Sequence, residues 1–424
     1  MDREARQALV QGVLQSRVHI RGGLIAALDQ GVLSVSNFVA GALFIKLASS
    51  EEYGLYVALS SVLFLFSAFQ NAVVSTPMTM LLPRIEQSKR NSFVASLFVG
   101  QFAALLLLGI ATLPFFSTLV DTMLEVKASL LLGVIFGLST LAFLSRDFLR
   151  SCFYVDLRPP KALTLDGVYA LGFVILLLIL ALSGTLSAQS SILMIGVSAV
   201  IACGTAASRW RTVFKDGVAL EATFKQTWQY SKWGLLGGVA SWLQQNTFIY
   251  LASIAQGASG VAPVAAARLF VVPSSLVVTG WGIYIRPIMS NAAGVEGKRK
   301  LLSLVKLGTI GLMVFMIAYT VVLFFLYSWL SPSILPAAYQ DIGIYILLWG
   351  GIGLIDVFYS NLSNALQSLL LFRALSFMGI VAMVVSVLLG AFLALSYGSV
   401  GFLCGVVVSN IVLVILGCVL ISKA

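Results

Sequence analysis

Arg268, Ser275, Thr279 and Arg286 are spaced by seven, four and seven residues, a ladder that stays on one face of a helix. Eighteen residues at 100° each return Arg286 to the azimuth of Arg268, about 27 Å further along the axis. Guanidinium forks pair well with phosphate and carboxylate groups. Two of them joined by hydroxyls make a wet face suited to an anionic substrate. Pro273 lies between them, where a helix bends. Arg286 precedes Pro287 near the end of its apolar run, and such a side chain also reaches lipid headgroups. Arg268 lies inside the other end, where that alternative is less natural.

Acids and amides recur in the same way. After Asp29, the residues Gln30, Ser34, Asn37 and Gly41 follow at steps of four, three and four, which keeps one helix face polar or small. Similar stripes are Ser60, Ser67, Asn71 and Ser75; Ser241, Gln244, Gln245 and Asn246; and Asp356, Ser360, Asn364 and Gln367. Any one polar residue is well explained as glue between helices. Four stripes together predict a hydrated cavity, with Asn37, Asn71 and Gln244 as substrate contacts beside Ser275 and Thr279. Asp356 lies near the middle of its run with no basic residue within four positions, which makes it the leading candidate to bind a coupling proton or cation. Asp29, roughly 8 Å inside its run, is the second, and reads better as part of a wet face. Asp147 is expected to pair with Arg150 three residues on, and Asp166 to cap a helix start or meet headgroups.

The elements that must carry these residues are set by composition. Of the 424 residues 59% are hydrophobic and 10% charged, a ratio outside soluble globules. Twelve apolar runs, near 24–46, 56–80, 93–116, 129–149, 163–183, 189–208, 233–255, 263–289, 303–329, 343–367, 375–396 and 400–421, are long enough to cross a core of ~30 Å. The chain is thus expected to be an all-α polytopic membrane protein. Basic residues crowd every second loop: Arg84, Lys89 and Arg90; Arg150, Arg158 and Lys161; Arg209 to Lys232; Lys298 to Lys306; Arg373; Lys423. The loops between hold Lys46 and Lys127. The positive-inside rule then places both termini in the cytoplasm. It also accounts for the net charge of +10 through contact with membrane lipids of an anionic leaflet, with no nucleic acid partner.

Residues 1–21 are too polar for a cleavable signal, and Leu9, Val10, Val13, Leu14 and Val18 predict a short amphipathic segment on the membrane. Cys152, Cys203, Cys404 and Cys418 fall in or beside spans and read as packing residues rather than disulfide partners. His19 is the single histidine, which removes His-rich metal sites and His-based triads. Gly294 to Lys298 lacks the spacing of a phosphate loop. No metal, cofactor or catalytic set is expected, and the chain is not read as an enzyme.

The chain looks duplicated. Asn37 and Asn246, like Asp147 and Asp356, lie 209 positions apart; Pro77 and Pro287 lie 210 apart; Lys161 and Arg373, each followed by Ala-Leu, lie 212 apart. The plan is two six-helix halves, 1–225 and 226–424, around a central cavity, which is common among transporters.

The run Leu28 to Phe38, then Glu52-Tyr-Gly54, Gln70-Asn71 and Thr76-Pro77, resembles the start of oligosaccharide flippases, the Wzx-like polysaccharide transporters of the multidrug/oligosaccharidyl-lipid/polysaccharide exporter superfamily. Arg146 to Arg150, Arg158 to Leu163, and Gly260 to Pro287 are further echoes, so the resemblance runs from about residue 22 to the C-terminus. It implies a bacterial cytoplasmic-membrane protein moving a polyprenyl-pyrophosphate-linked oligosaccharide outward by alternating access. Polysaccharide assembly proteins are its implied partners. In related lipid II flippases, arginines of the first, second and eighth helices line a cationic cavity. Arg268 and Arg286 take that part here in the eighth span, whereas the first two spans carry no arginine beyond Arg21 at the edge. A cation-coupled drug exporter of the same superfamily is the alternative, and would want a smaller, more acidic pocket. A membrane polysaccharide polymerase or ligase is the alternative from another class. It fits less well, because the intervening loops are short and nearly free of basic residues.

Overall fold

The computed structural model describes residues 25–26, 28–82, 85–124, 129–292, 297–336, 339, 342–369 and 371–423. The amphipathic segment expected over 1–21 lies outside them, as do Arg84 and Lys127.

The described residues are helical almost throughout, as the apolar runs require: in hydrocarbon a segment must satisfy its own backbone hydrogen bonds. In chain order the helices are α1 (Leu28–Leu47), α2 (Ser50–Gln70), α3 (Thr76–Leu81), α4 (Arg90–Leu124), α5 (Leu130–Val155), α6 (Pro159–Leu182), α7 (Ala188–Gly204), α8 (Ala207–Val213), α9 (Leu220–Asn291), α10 (Lys298–Ile334), α11 (Gly343–Ser368), α12 (Phe372–Tyr397) and α13 (Ser399–Lys423). Ten stretches are long and apolar enough to cross a membrane, and the shorter apolar helix Ala188–Gly204 adds another. One of the ten, Gly234–Gly282, is two spans in one. Gly257 breaks α9 with φ 66° and ψ −165°, a backbone region open essentially to glycine alone. The chain therefore turns back with almost no loop. Counted in this way the spans among the described residues number twelve, the figure read from the sequence. The boundary expected at 225/226 falls inside α9, shortly after its start.

Helix ends follow local chemistry. Ser49 caps α2 by accepting from the Glu52 N–H, and Ser129 caps α5 in the same way. Ser187 and Ser190 form a reciprocal capping box on α7. Between α2 and α3 the chain does not break but widens into a π turn, Asn71–Ser75, which ends two residues before Pro77. The imide nitrogen there has no hydrogen to donate.

Two ends of the bundle can be told apart by charge. The basic end holds the α3–α4, α5–α6, α7–α9, α9–α10 and α11–α12 connections. The opposite end holds the α1–α2 connection, Gly257 and the α12–α13 turn at Gly398. At the opposite end one continuous apolar core joins both parts of the chain. Phe44, Tyr53 and Leu59 belong to it together with Ala258, Val261, Tyr339 and Phe402. Toward the basic end this core continues only in the first part of the chain, through Leu149, Phe153 and Ala162, and two separate clusters appear. Val74, Met78, Phe93 and Val213 form one cluster, and Ile285, Met289, Leu301 and Met378 form another.

The seam at the opposite end is very close. A Cβ placed on Gly54 of α2 would lie 1.7 Å from the Ala258 carbonyl oxygen, and one on Gly41 of α1 would lie 2.6 Å from a Leu269 methyl. At the basic end the parts touch where α9 begins its first span. There the Ser231 hydroxyl donates to the Val73 carbonyl at 3.0 Å. That carbonyl lies in the π turn, which loosens the regular helical ladder and leaves an acceptor for a neighbour.

Candidate functional site

Arg268 lies in the second arm of α9 and is held in place on several sides. Its Nη1 donates to Asn246 Oδ1 at 2.9 Å. Its guanidinium carbon sits 5.0 Å from the Trp349 ring centroid and 5.5 Å from that of Phe248, within the range of cation–π attraction. Trp349 is fixed in turn by donating Nε1–H to the Val264 carbonyl. Arg268 is half-buried. Further along the same arm Ser275, Thr279 and Arg286 are exposed. The two hydroxyls bond back to Val272 and Ser275 carbonyls, and Arg286 Nε donates to Asn364 Oδ1 at 3.2 Å. The predicted ladder is present as one continuous helical face.

On α1, Asn37 is exposed one turn from Gly41, toward the basic end. Ser275 lies under two turns from Leu269 in the same direction. Gly41 meets Leu269 across the seam, so Asn37 and Ser275 are the next positions along it. Asn71 is also exposed, in the π turn. Gln244 is not at a surface. It is 2% exposed, and its Nε2 donates to Ser409 Oγ and Asn410 Oδ1, each at 2.7 Å. Asn410 passes the chain on by donating to Asp356 Oδ1 at 2.7 Å. Gln244 and Asn410, both buried, therefore form an amide relay that ends on the half-buried carboxylate of Asp356 beside Arg268. Asn410 and the aromatic cage of Arg268 are absent from the sequence reading, since neither lies in a polar stripe and nothing local marks them.

A second charged cluster lies in α1, α5 and α6. Arg146, 2% exposed, pairs through Nη1 with Asp166 Oδ1 at 2.9 Å and through Nη2 with Asp147. Arg150 pairs through Nη2 with Asp29 Oδ2 at 2.8 Å and through Nε with Asp166 Oδ2 at 2.6 Å. The Tyr154 hydroxyl also donates to Asp29 Oδ2, at 2.6 Å. Phe143 and Tyr169 flank the Arg146 guanidinium at 4.7 and 4.3 Å. Three local expectations are corrected here. Asp147 pairs with Arg146 and with the Ser67 hydroxyl at 2.5 Å, not with Arg150. Asp166 is fully buried between two arginines rather than capping a helix or meeting headgroups. Asp29, also fully buried, does not lie on a wet face. The physical reason is common to all three. A buried carboxylate needs a guanidinium and hydrogen bonds together, and neighbouring helices supply them better than its own next turn.

Beside this cluster a polar pocket of about 210 Å³ opens between α2 and α5, lined by Ser67, Gln70, Asn71, Asp147 and Arg150 among others. The four cysteines are free, with Cys152 buried and Cys418 exposed on the apolar helix α13. Among the described residues no cluster of metal-ligating side chains occurs.

No family model matches the chain, and no curated protein matches its sequence. Among solved structures the chain is similar to a lipid II flippase, MurJ, in an inward closed conformation, with TM-score 0.77 and 14% identity over 94% of this chain and 87% of that one. It is also similar to a multidrug resistance MATE family transporter of the MOP superfamily in an inward-facing conformation (TM-score 0.69, 14% identity, 92% and 95% coverage). A third is a MOP superfamily transporter from Pyrococcus furiosus (TM-score 0.66, 13% identity, 96% and 95% coverage). At these identities the likeness establishes the fold: a polytopic helical membrane protein built like the MOP superfamily transporters.

Proposed function

We propose that the chain is a flippase for a polyprenyl-pyrophosphate-linked oligosaccharide. It would carry that lipid from the cytoplasmic to the outer face of a bacterial cytoplasmic membrane, by alternating access, for surface polysaccharide assembly. The basic end is then cytoplasmic, as the positive-inside rule asks. The observation that carries this reading is a difference in availability between acids and bases along the spans. Asp29, Asp147 and Asp166 are tied to arginines, and Asp356 accepts from Asn410. Arg286 is exposed beside Ser275 and Thr279, whereas Arg268 and Asp356 are both half-buried and each is held by one amide, so the most available charge on this face is basic. A cationic drug wants free carboxylates on the path, and a pyrophosphate wants free guanidinium groups. Arg268 and Arg286 would bind the pyrophosphate in turn, Ser275, Thr279, Asn37 and Asn71 would line the path, and the polyprenyl tail would stay in lipid. Gln244 takes a supporting part through the relay to Asp356, which stands as the coupling candidate.

Deleting the gene in its native host and extracting polyprenyl-linked sugars tests the reading. A complete repeat unit accumulating on the cytoplasmic face is the expected result. Accumulation on the outer face would point to a polymerase or ligase. No accumulation, together with new drug sensitivity, would point to the multidrug exporter that the likeness to MATE transporters also accommodates.

In the complemented strain Arg268→Ala is expected to lower export at least tenfold at equal protein level, since a hydrogen bond to a charged group contributes roughly 1.5–3 kcal/mol. Arg268→Lys is expected to rescue poorly, because an ammonium keeps the charge but not the planar fork. Asp356→Asn is expected to lower net export while substrate binding survives. Unchanged export in Arg268→Ala would remove the arginine from the path, and unchanged export in Asp356→Asn would remove the carboxylate from coupling.

A further inference from the structure

The pocket between α2 and α5 is built for a ligand of unusual chemistry. Its wall combines hydrogen-bond donors and acceptors at close range. Asn71 is exposed in the π turn and offers an amide. Arg150 lines the pocket with its side chain 26% exposed, while its Nε and Nη2 hold Asp29 and Asp166. Asp147 presents a carboxylate 18% exposed, fixed by Arg146 and the Ser67 hydroxyl. Ser75 and Ser151 are joined by a hydroxyl–hydroxyl bond of 3.0 Å. Gln70 is 5% exposed and uses Nε2 to donate to the Leu144 carbonyl at 2.9 Å. Its Oε1 is buried and has no hydrogen-bond partner. A buried acceptor left unpaired is costly and marks a place where a donor is wanted.

Three ligand classes can be weighed on these groups. A metal cation selects oxygen ligands, and a guanidinium in the wall together with Arg146 behind it repels one. A phosphate would meet Arg150 favourably but would be pressed against the Asp147 carboxylate, and the cluster behind the wall sets two guanidinium groups against three carboxylates. A polyhydroxylated ring suffers neither conflict. Each hydroxyl donates once and accepts twice. It can give its proton to Asp147, or to Gln70 Oε1 once that amide turns toward the pocket, and accept from Asn71 Nδ2 or Arg150. The pocket volume of about 210 Å³ suits one sugar ring rather than an oligosaccharide.

From this wall we infer that the α2–α5 pocket is a monosaccharide subsite that holds one ring of the transported glycan; as a statement about transport it rests on the flippase reading above. The π turn has a purpose in this arrangement. It rotates Asn71 out of the regular helical register and into the space between α2 and α5, where the amide meets the ligand. The pyrophosphate contacts lie on α9 and the sugar contact on α2 and α5. A lipid-linked glycan would therefore touch both parts of the chain at once.

The test uses the full-length protein in detergent and a panel of free monosaccharides: glucose, galactose, mannose, rhamnose and N-acetylglucosamine. Thermal stabilisation is titrated for each against sucrose at matched concentration, because sugars also stabilise proteins by exclusion from their surface. The expected result is a saturable shift beyond the sucrose control for at least one sugar. Its half-saturation point should rise at least tenfold in Asn71→Leu, whose exposed position leaves folding intact. A milder Asn71→Ala variant reports the same loss should the leucine disturb melting. Shifts that match sucrose for every sugar, or that persist equally in both variants, overturn the subsite. The gene-deletion result separates the two ideas. Polyprenyl-linked intermediates that accumulate while no sugar binds would leave the flippase and remove the subsite. A sugar site that binds and responds to Asn71, with no intermediate accumulating, would leave the pocket and remove the flippase.

Discussion

Arg146→Ala is expected to lower stability by roughly 3–5 kcal/mol, the usual consequence of removing one partner from a buried ion pair. The magnitude follows from what is left behind. Asp166 would keep Arg150 on one oxygen, but Oδ1 would face an emptied space at zero exposure, and Asp147 would lose its guanidinium. The flanking rings of Phe143 and Tyr169 would border a cavity the size of an arginine side chain. Against a typical total of 5–15 kcal/mol, the variant should accumulate poorly in membranes and melt well below the parent in detergent. A melting temperature equal to the parent's would show that the cluster is not structural. Arg146→Ala combined with Asp166→Asn separates lost packing from the unpaired charge. If the charge dominates, the double variant should be clearly more stable than the sum of the two single losses.

Gly54→Val is expected to prevent closure of the end opposite the basic one. Its first added atom would overlap the Ala258 carbonyl oxygen, at 1.7 Å; that oxygen is backbone and a Cβ has no torsion of its own, so neither can rotate aside. Helix α2 and the turn of α9 must part, and overpacking of this kind costs typically 1–3 kcal/mol, occasionally more. The cost falls on the closed arrangement and is relieved wherever the two helices separate, so the balance shifts by about fivefold to more than a hundredfold. Under alternating access, export should fall strongly while the protein still folds. A cysteine placed at Ala258 should then become reactive to a membrane-impermeant maleimide added from outside. Normal export by Gly54→Val, with no gain in labelling, would mean that this contact does not close the path. Substituting Gly257 is the less informative experiment, since its positive φ makes any side chain there strain the backbone as well.

The apolar runs and the alternation of basic loops were legible because both are properties of single segments. A span must be about 20 residues long and a basic loop must stay in water, whatever the rest of the chain does. The ladder on α9 was legible for the same reason, being a matter of spacing along one helix. Partnerships between helices were not. Asp29 meets Arg150 across 121 positions, and Arg150 prefers it to Asp147, three positions away on the same helix. Nothing in the intervening sequence marks that choice, which depends on how α1, α5 and α6 pack. Gln244 was singled out for the right property, its polarity within an apolar run, but Ser409 and Asn410 of α13 cover it. Polarity along one helix says that a group needs partners, not whether water, substrate or another helix supplies them.

The turn at Gly257 also makes α9 a bent lever with no slack at its elbow. A long loop would let its two arms tilt independently, whereas a single glycine passes the swing of one arm to the other. From the elbow to Arg286 the second arm runs 29 residues, about 44 Å. A rotation of about 10° at the elbow would sweep its far tip through about 8 Å, while Arg268, close to the fulcrum, would move only about a third as far. In the proposed flippase the two guanidinium groups would then serve one lipid with different strokes: a nearly stationary post at Arg268 and a travelling hook at Arg286.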